Sequence, residues 1–298
     1  MKLSPTHILS MLGPALLLYL IFMIYPLFQG LGYSFTEYTG VGKATYIGFE
    51  NYQRMFSDEK FLSSLKNTGL FTVIVLVLQN AIGLFFATLI HRQEKLRQFV
   101  QVALIAPSML STIVVGFIWT YLYSPFGGPI NLTLESTGLI QVVRALGINT
   151  PVVWLGDPAL VIFAISLVVV WMYTGTTTAI YVAGYTTISS ELYEAAQLDG
   201  ANRWQIFTRI EWPLLAPATT ASVTLSVLHL LNIFEFPFVM TNGGPGVSSY
   251  TLGMMIYDRL SANEIGYATA IATFLLLVVV AVAIVLTGLL RKREARIL

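Results

Sequence analysis

Between Lys2 and Glu37 the chain carries no Asp, Glu, Lys or Arg. About 20 apolar residues cross the roughly 30 Å hydrocarbon layer of a bilayer, so a charge-free stretch of this length can span one. Five further stretches qualify, and six spans are expected: Met11 to Phe35, Asn67 to Ile90, Val102 to Tyr123, Ala159 to Val182, Pro213 to Phe234 and Tyr267 to Leu290. Each is expected to be a helix, because lipid offers no water to an unpaired backbone group. The charge deficit follows from these runs. Only 10% of the residues are charged, against about 25% in a soluble globular protein. The expected class is therefore an all-α integral membrane protein.

The first apolar run exceeds the core of a secretory signal, which is about 7–15 residues, and lacks an evident small-residue cleavage site. It reads as a retained span. Basic residues then give the sidedness, since they collect in cytoplasmic loops. With both termini cytoplasmic, ten of the sixteen Lys and Arg lie inside: Lys2, Arg92, Lys95, Arg97, Arg203, Arg209, Arg291, Lys292, Arg293 and Arg296. The outer loops are each roughly 30 residues, below the size of an independent domain. Tyr and Trp gather near span ends, as interfacial aromatics do: Tyr19, Tyr25, Tyr33, Trp119, Tyr121 and Tyr123.

Other classes fall away. A net charge of +1 gives no basic patch for nucleic acid. Cysteine is absent, which removes thiol chemistry and cysteine metal sites. His7, His91 and His229 lie in separate regions with no ligand spacing. No Gly-x4-Gly-Lys-Ser/Thr phosphate loop is present, and Gly40-Val-Gly-Lys43 is followed by alanine. An ion-coupled secondary transporter would carry ionisable groups inside its spans and an internal repeat. Here only His229 and Glu235 qualify, and no repeat stands out.

The connection between spans four and five is unlike a mere linker. Ser190 is placed to cap a short helix, with Glu191 in the first turn where the helix dipole favours a carboxylate. Glu194, Ala195, Ala196 and Leu198 favour helix, and Gly200 supplies a left-handed stop. Asn202 can cap a second helix, in which Trp204, Phe207 and Ile210 form an apolar stripe. Pro213 ends it and opens span five. Two alanines on an exposed turn would let a partner backbone approach closely. Physics alone leaves two readings open: a knob that docks into a cytoplasmic partner, or an amphipathic pair lying on the membrane surface.

Glu194-Ala195-Ala196, three residues, Gly200, nine residues, Ile210, one residue, Trp212, Pro213 resembles the permease signature of bacterial ABC importers. The one departure is Trp212, where the family carries leucine. Phe49-Glu-Asn-Tyr52 with Asn67-Thr68, Trp154-Leu-Gly-Asp-Pro158 and Thr241-Asn-Gly-Gly-Pro245 resemble segments of the maltose and oligosaccharide branch. The likeness covers nearly the whole chain, without the large outer domain of the maltose permease.

The resemblance implies an accessory helix and outer loop over 1–66, a permease core over 67–290 with a coupling loop at 184–213, and a basic cytoplasmic tail at 291–298. Glu194, Ala195, Ala196, Asp199 and Gly200 would couple to a cytoplasmic ATPase dimer. ATP and Mg would bind those partner subunits, leaving no cofactor and no catalysis on this chain. A second homologous permease and an external solute-binding protein would complete an importer in the bacterial inner membrane. By the same resemblance, Met172, Tyr173, Thr176, His229, Asn232 and Ile233 would line the path of a di- or oligosaccharide.

Polar groups inside spans are costly unless paired or solvated, which makes them candidates in their own right. Ser and Thr in spans also bond back to their own helix, and His229 could be a packed core residue. Spans four and five carry no lysine or arginine, the natural partners of an anionic solute such as glycerol phosphate. That solute stays as an alternative cargo for the same architecture.

Overall fold

A computed structural model describes residues 5–92 and 94–295; Lys2 and Arg296 lie outside them. Two helices, α1 (Pro5–Tyr19) and α2 (Tyr25–Tyr33), are joined by a π turn over Leu20–Ile24, and a two-residue pairing follows between β1 (Thr36–Glu37) and β2 (Thr45–Tyr46). Then come α3 (Glu50–Ser57), α4 (Glu59–Arg92), α5 (Glu94–Ile105), a 3-10 turn at Ala106–Met109, α6 (Thr112–Leu122), α7 (Pro129–Ser136), α8 (Ile140–Ala145) and α9 (Val161–Tyr185). Next are α10 (Ser190–Leu198), α11 (Arg203–Ile206), a π turn at Phe207–Glu211, α12 (Trp212–Leu214), α13 (Ala216–Leu230), α14 (Glu235–Thr241), α15 (Leu252–Ser261) and α16 (Ile265–Glu294).

Among the described residues, four helical stretches are long and apolar enough to cross a membrane: Leu12–Tyr33, Glu59–His91, Val161–Tyr185 and Ile265–Glu294. Two bent pairs raise the number to six, Phe99–Met109 with Thr112–Leu122 and Arg203–Leu214 with Ala216–Leu230. The third span, expected as one helix over Val102 to Tyr123, is thus corrected to a broken one. It breaks at 98°, where Pro107 lies in the 3-10 turn and Ser111 is extended. Proline brings no N–H and clashes with the preceding turn, so the ladder stops there. The fifth span is corrected too: its helix starts at Ala216 rather than Pro213 and ends at Leu230, with a 63° bend before it.

Both π turns stand two residues ahead of a proline. The N–H of Tyr25 bonds Leu20 O before Pro26, and that of Trp212 bonds Phe207 O before Pro213. Widening the turn to an i−5 bond relieves the crowding between the proline ring and the carbonyl four residues back.

The chain forms two compact units. Residues 1–62 and 255–277 make one, and 63–254 with 278–298 the other. In the first, Asn51 donates to the carbonyls of Ser34 and Thr36, and the Tyr52 hydroxyl to Ser34 Oγ. Arg54 pairs with Glu264 at 2.7 Å, while Arg259 reaches Asp58 and Glu264 at 3.5 Å each. Asp58 also accepts from the Tyr267 hydroxyl at 3.0 Å.

The second unit is organised around α9, the most buried of the spans. It carries no charged residue, as a helix largely enclosed by neighbours should. Phe71, Val75, Val115, Leu230, Phe236 and Met240 pack on it. Gly175 lets it approach the end of α5 so closely that a Cβ there would meet the Leu104 backbone. Small residues at such crossings are how membrane helices gain packing contact. Two segments singled out separately in the sequence meet here. Asn67 donates to Val247 O at 2.7 Å and Tyr250 O at 3.1 Å, and Thr68 Oγ1 accepts from Leu252 N. They hold the loop in which Asn242 takes the left-handed conformation, beginning the Asn-Gly-Gly-Pro turn.

Candidate functional site

Tyr173 and Thr176 stand three residues apart on α9 and therefore share a face. His229 lies in the last turn of α13, and Asn232 follows in the turn before α14. The rings of Tyr173 and His229 meet edge to face at 4.9 Å, an arrangement the aromatic quadrupole favours. His229, Asn232 and Thr176 are exposed, and Tyr173 is half-buried. Thr176 Oγ1 donates back to Tyr173 O at 2.7 Å and Asn232 Nδ2 to Leu228 O at 2.8 Å.

Met172 and Ile233 do not share this face. Met172 is 1% exposed and Ile233 2%, both packed into the core around α9. Position along a span sets depth, whereas orientation is set by packing, and these two side chains point inward. They have no surface to offer a solute. The other span-four hydroxyls are internal as well. Thr174 and Thr178 donate to carbonyls one turn back, and Thr177 accepts from Gln79 Nε2 at 2.7 Å.

The loop between α9 and α13 forms the two expected short helices. The cap of the first is Ser189, one residue ahead of the expected Ser190, with its hydroxyl accepting from Glu191 N. Ser189 has the extended backbone that a cap needs, while Ser190 is already helical. At the far end Gly200 has φ +73°, its N–H bonds Gln197 O, and that of Ala201 bonds Ala196 O. This is the Schellman pattern, which requires a residue tolerant of left-handed backbone. Asn202 and Gln205 exchange bonds at 2.8 and 2.9 Å to start α11, a reciprocal capping box.

Glu194, Ala195, Asp199 and Gly200 are exposed, but Ala196 is buried. Only one of the two alanines is open, because adjacent helix residues point about 100° apart and the inner face packs under the unit. Leu198 is 89% exposed and Trp204 71%, so the loop also displays two large apolar side chains. A groove of about 830 Å³ runs between Ala81, Phe85 and Leu89 on α4 and Trp204 and Phe207.

Sequence reasoning missed one further cluster. Glu211, on the π turn, is 2% exposed. Its Oε2 accepts from the Tyr185 hydroxyl at 3.1 Å, and Tyr185 lies 2.7 Å from Thr88 Oγ1. An acid directly before Trp-Pro, at the head of the apolar run of span five, was the available signal.

The family described as "Binding-protein-dependent transport system inner membrane component" matches residues 79–297. A probable ABC transporter permease protein of Pyrococcus horikoshii is 30% identical, over 95% of this chain and 96% of its own length. A probable starch degradation products transport system permease protein of Thermoanaerobacterium thermosulfurigenes is 28% identical over 95% and 93%. The trehalose/maltose transport system permease protein of Thermococcus litoralis is 29% identical over 95% and 93%. Among solved structures, a chain of a bacterial alginate ABC transporter in complex with an alginate pentasaccharide-bound periplasmic protein aligns with TM-score 0.81. It is 25% identical and covers 96% of this chain and 94% of that one.

Proposed function

This chain belongs to the binding-protein-dependent transport system inner membrane component family, and on that premise we propose that it forms half of the path by which an ATP-driven importer brings a di- or oligosaccharide across the inner membrane. It is a multi-pass transport subunit without a catalytic domain. A second homologous permease supplies the other half of the path. A cytoplasmic ATPase dimer binds ATP and Mg and does the chemical work, and an external binding protein delivers the solute. Both termini are cytoplasmic, in keeping with the basic residues of the inner loops.

The observation that carries this reading is the short helix α10. It is capped at both ends and presents Glu194, Ala195 and Asp199 to solvent. Satisfied caps make it stiff, and a stiff body can transmit a push. Closure of the ATPase dimer displaces α10, and the permease pair alternates between inward and outward openings. For the solute, relatives named for starch products and for trehalose and maltose accord with the Tyr173, Thr176, His229 and Asn232 face. Aromatic edges and faces pack on sugar rings, and amides and hydroxyls bond their hydroxyl groups. No lysine or arginine lies in α9 or α13, so the face favours a neutral cargo over an anionic one.

The test uses the complete complex in proteoliposomes. Uptake should require ATP and ignore ion gradients. Glu194→Lys should release the ATPase subunit while the spans stay inserted. Full ATPase binding and full uptake in that variant would remove α10 from the coupling role.

A further inference from the structure

A buried carboxylate is expensive unless it is bonded, so evolution seldom leaves one where it does nothing. Glu211 is such a group, at 2% exposure. It ends the Phe207–Glu211 π turn that stands ahead of Pro213. Tyr185, the last residue of α9, donates its hydroxyl proton to Glu211 Oε2 at 3.1 Å. The Tyr185 hydroxyl also lies 2.7 Å from Thr88 Oγ1 of α4, which itself bonds Leu84 O at 2.9 Å. The imidazole of His91, also on α4, stacks on the Tyr185 ring at 4.5 Å and lies 5.7 Å from the ring of Tyr193 on α10. Glu211 also lines a cavity of about 190 Å³ together with Tyr193 and Gln197 of α10. One carboxylate thus sits where α4, α9 and the short loop helix meet.

We propose that Glu211 is a positioning residue that clasps α10 to α4 and α9, so that displacement of α10 moves the spans instead of being absorbed by the loop. This rests on the reading of α10 as the helix that docks the ATPase. A buried hydrogen-bonded network has few alternative arrangements, because each one leaves a polar group unpaired. Such a network transmits movement where a slack apolar contact would slide. The π turn aims the carboxylate inward, and Tyr185 holds it there. Without the bond, α10 and the spans can move independently.

The absence of cysteine makes single-site spin labelling direct. One nitroxide is placed at Leu192→Cys, 44% exposed on α10 and outside the coupling residues, and in a separate preparation another at Val77→Cys, 60% exposed on α4. The full complex with its ATPase subunits is examined with and without ATP plus vanadate. In the native background both labels should change spectrum on trapping. In Glu211→Ala and in Tyr185→Phe, which keeps the ring and removes only the hydroxyl, the Leu192 label should still respond. The trapped component at Val77 should fall about tenfold, as loss of a hydrogen bond to a charged group predicts. Glu211→Gln, whose side-chain carbonyl still accepts from Tyr185, should keep at least about half of the response.

A full response at Val77 in both Glu211→Ala and Tyr185→Phe would overturn the clasp. So would loss of ATPase-subunit binding in both, since the cluster would then serve folding and not transmission. A Leu192 label that is silent in the native background would instead overturn the docking role of α10, and the two failures are thereby separated.

Discussion

Adding one methyl group at Gly175 tests the packing on which the second unit depends. A Cβ at that position would sit 2.0 Å from Leu104 O, 2.3 Å from Leu104 C and 2.7 Å from Ile105 N. Ordinary contact begins near 3.4 Å, so the carbonyl would have to retreat by about 1.4 Å. These are backbone atoms in the last turn of α5, so no rotamer change can make room. The adjacent 3-10 turn is already committed to the bend around Pro107. Overpacking costs about 1–3 kcal/mol, and a backbone obstacle belongs at the upper end. Against this, replacing glycine by alanine in a helix interior contributes about 1 kcal/mol. Gly175→Ala should therefore destabilise by about 2 kcal/mol net, roughly a factor of 30 in the folded-to-unfolded ratio.

The assay is the thermal unfolding midpoint of the purified complex in detergent, with Gly288→Ala as the partner variant. Gly288 has nothing within 4 Å of its Cβ position, so that change should be neutral or stabilising by up to about 1 kcal/mol. Equal midpoints for the two variants would refute the close crossing of α9 and α5.

At Gly200 the surroundings are open and the constraint is conformational, with φ +73°. Gly200→Val should cost about 1–2 kcal/mol of left-handed strain and weaken ATPase-subunit affinity in a binding titration, with Gly200→Asn milder; equal affinities would count against the cap. Asn67→Ala removes the bonds to Val247 O and Tyr250 O, so hydrogen exchange over residues 246–251 should accelerate about tenfold, and an unchanged rate would refute the anchoring role. Asn232→Leu should weaken uptake with assembly intact, and native uptake kinetics in that variant would take Asn232 out of the solute path.

The spans were legible because hydrocarbon imposes one requirement on every segment that crosses it. Lengths and the missing charges express that requirement residue by residue, without reference to neighbours. The ends of α10 were legible for a similar reason: a left-handed glycine and an asparagine cap satisfy their own local backbone. Ser190 missed its cap by one position because two adjacent serines offer the same chemistry, and only the chain direction chooses between them.

Orientation was a different matter. The apolar pattern around α9 is nearly uniform, so nothing local distinguished buried Met172 from half-buried Tyr173 beside it. Pro107 signalled a break in the third span but not its 98° angle.

From its sequence alone the chain was bound to be a helical membrane protein with a capped helix pair beneath it, since hydrophobic length and backbone capping are local quantities. Which side chains face a path, where two spans bend, and that Glu211 meets Tyr185 were decided only by tertiary packing. Those depend on which helix lies against which, and contacts between residues far apart in the chain leave no periodic trace in either segment.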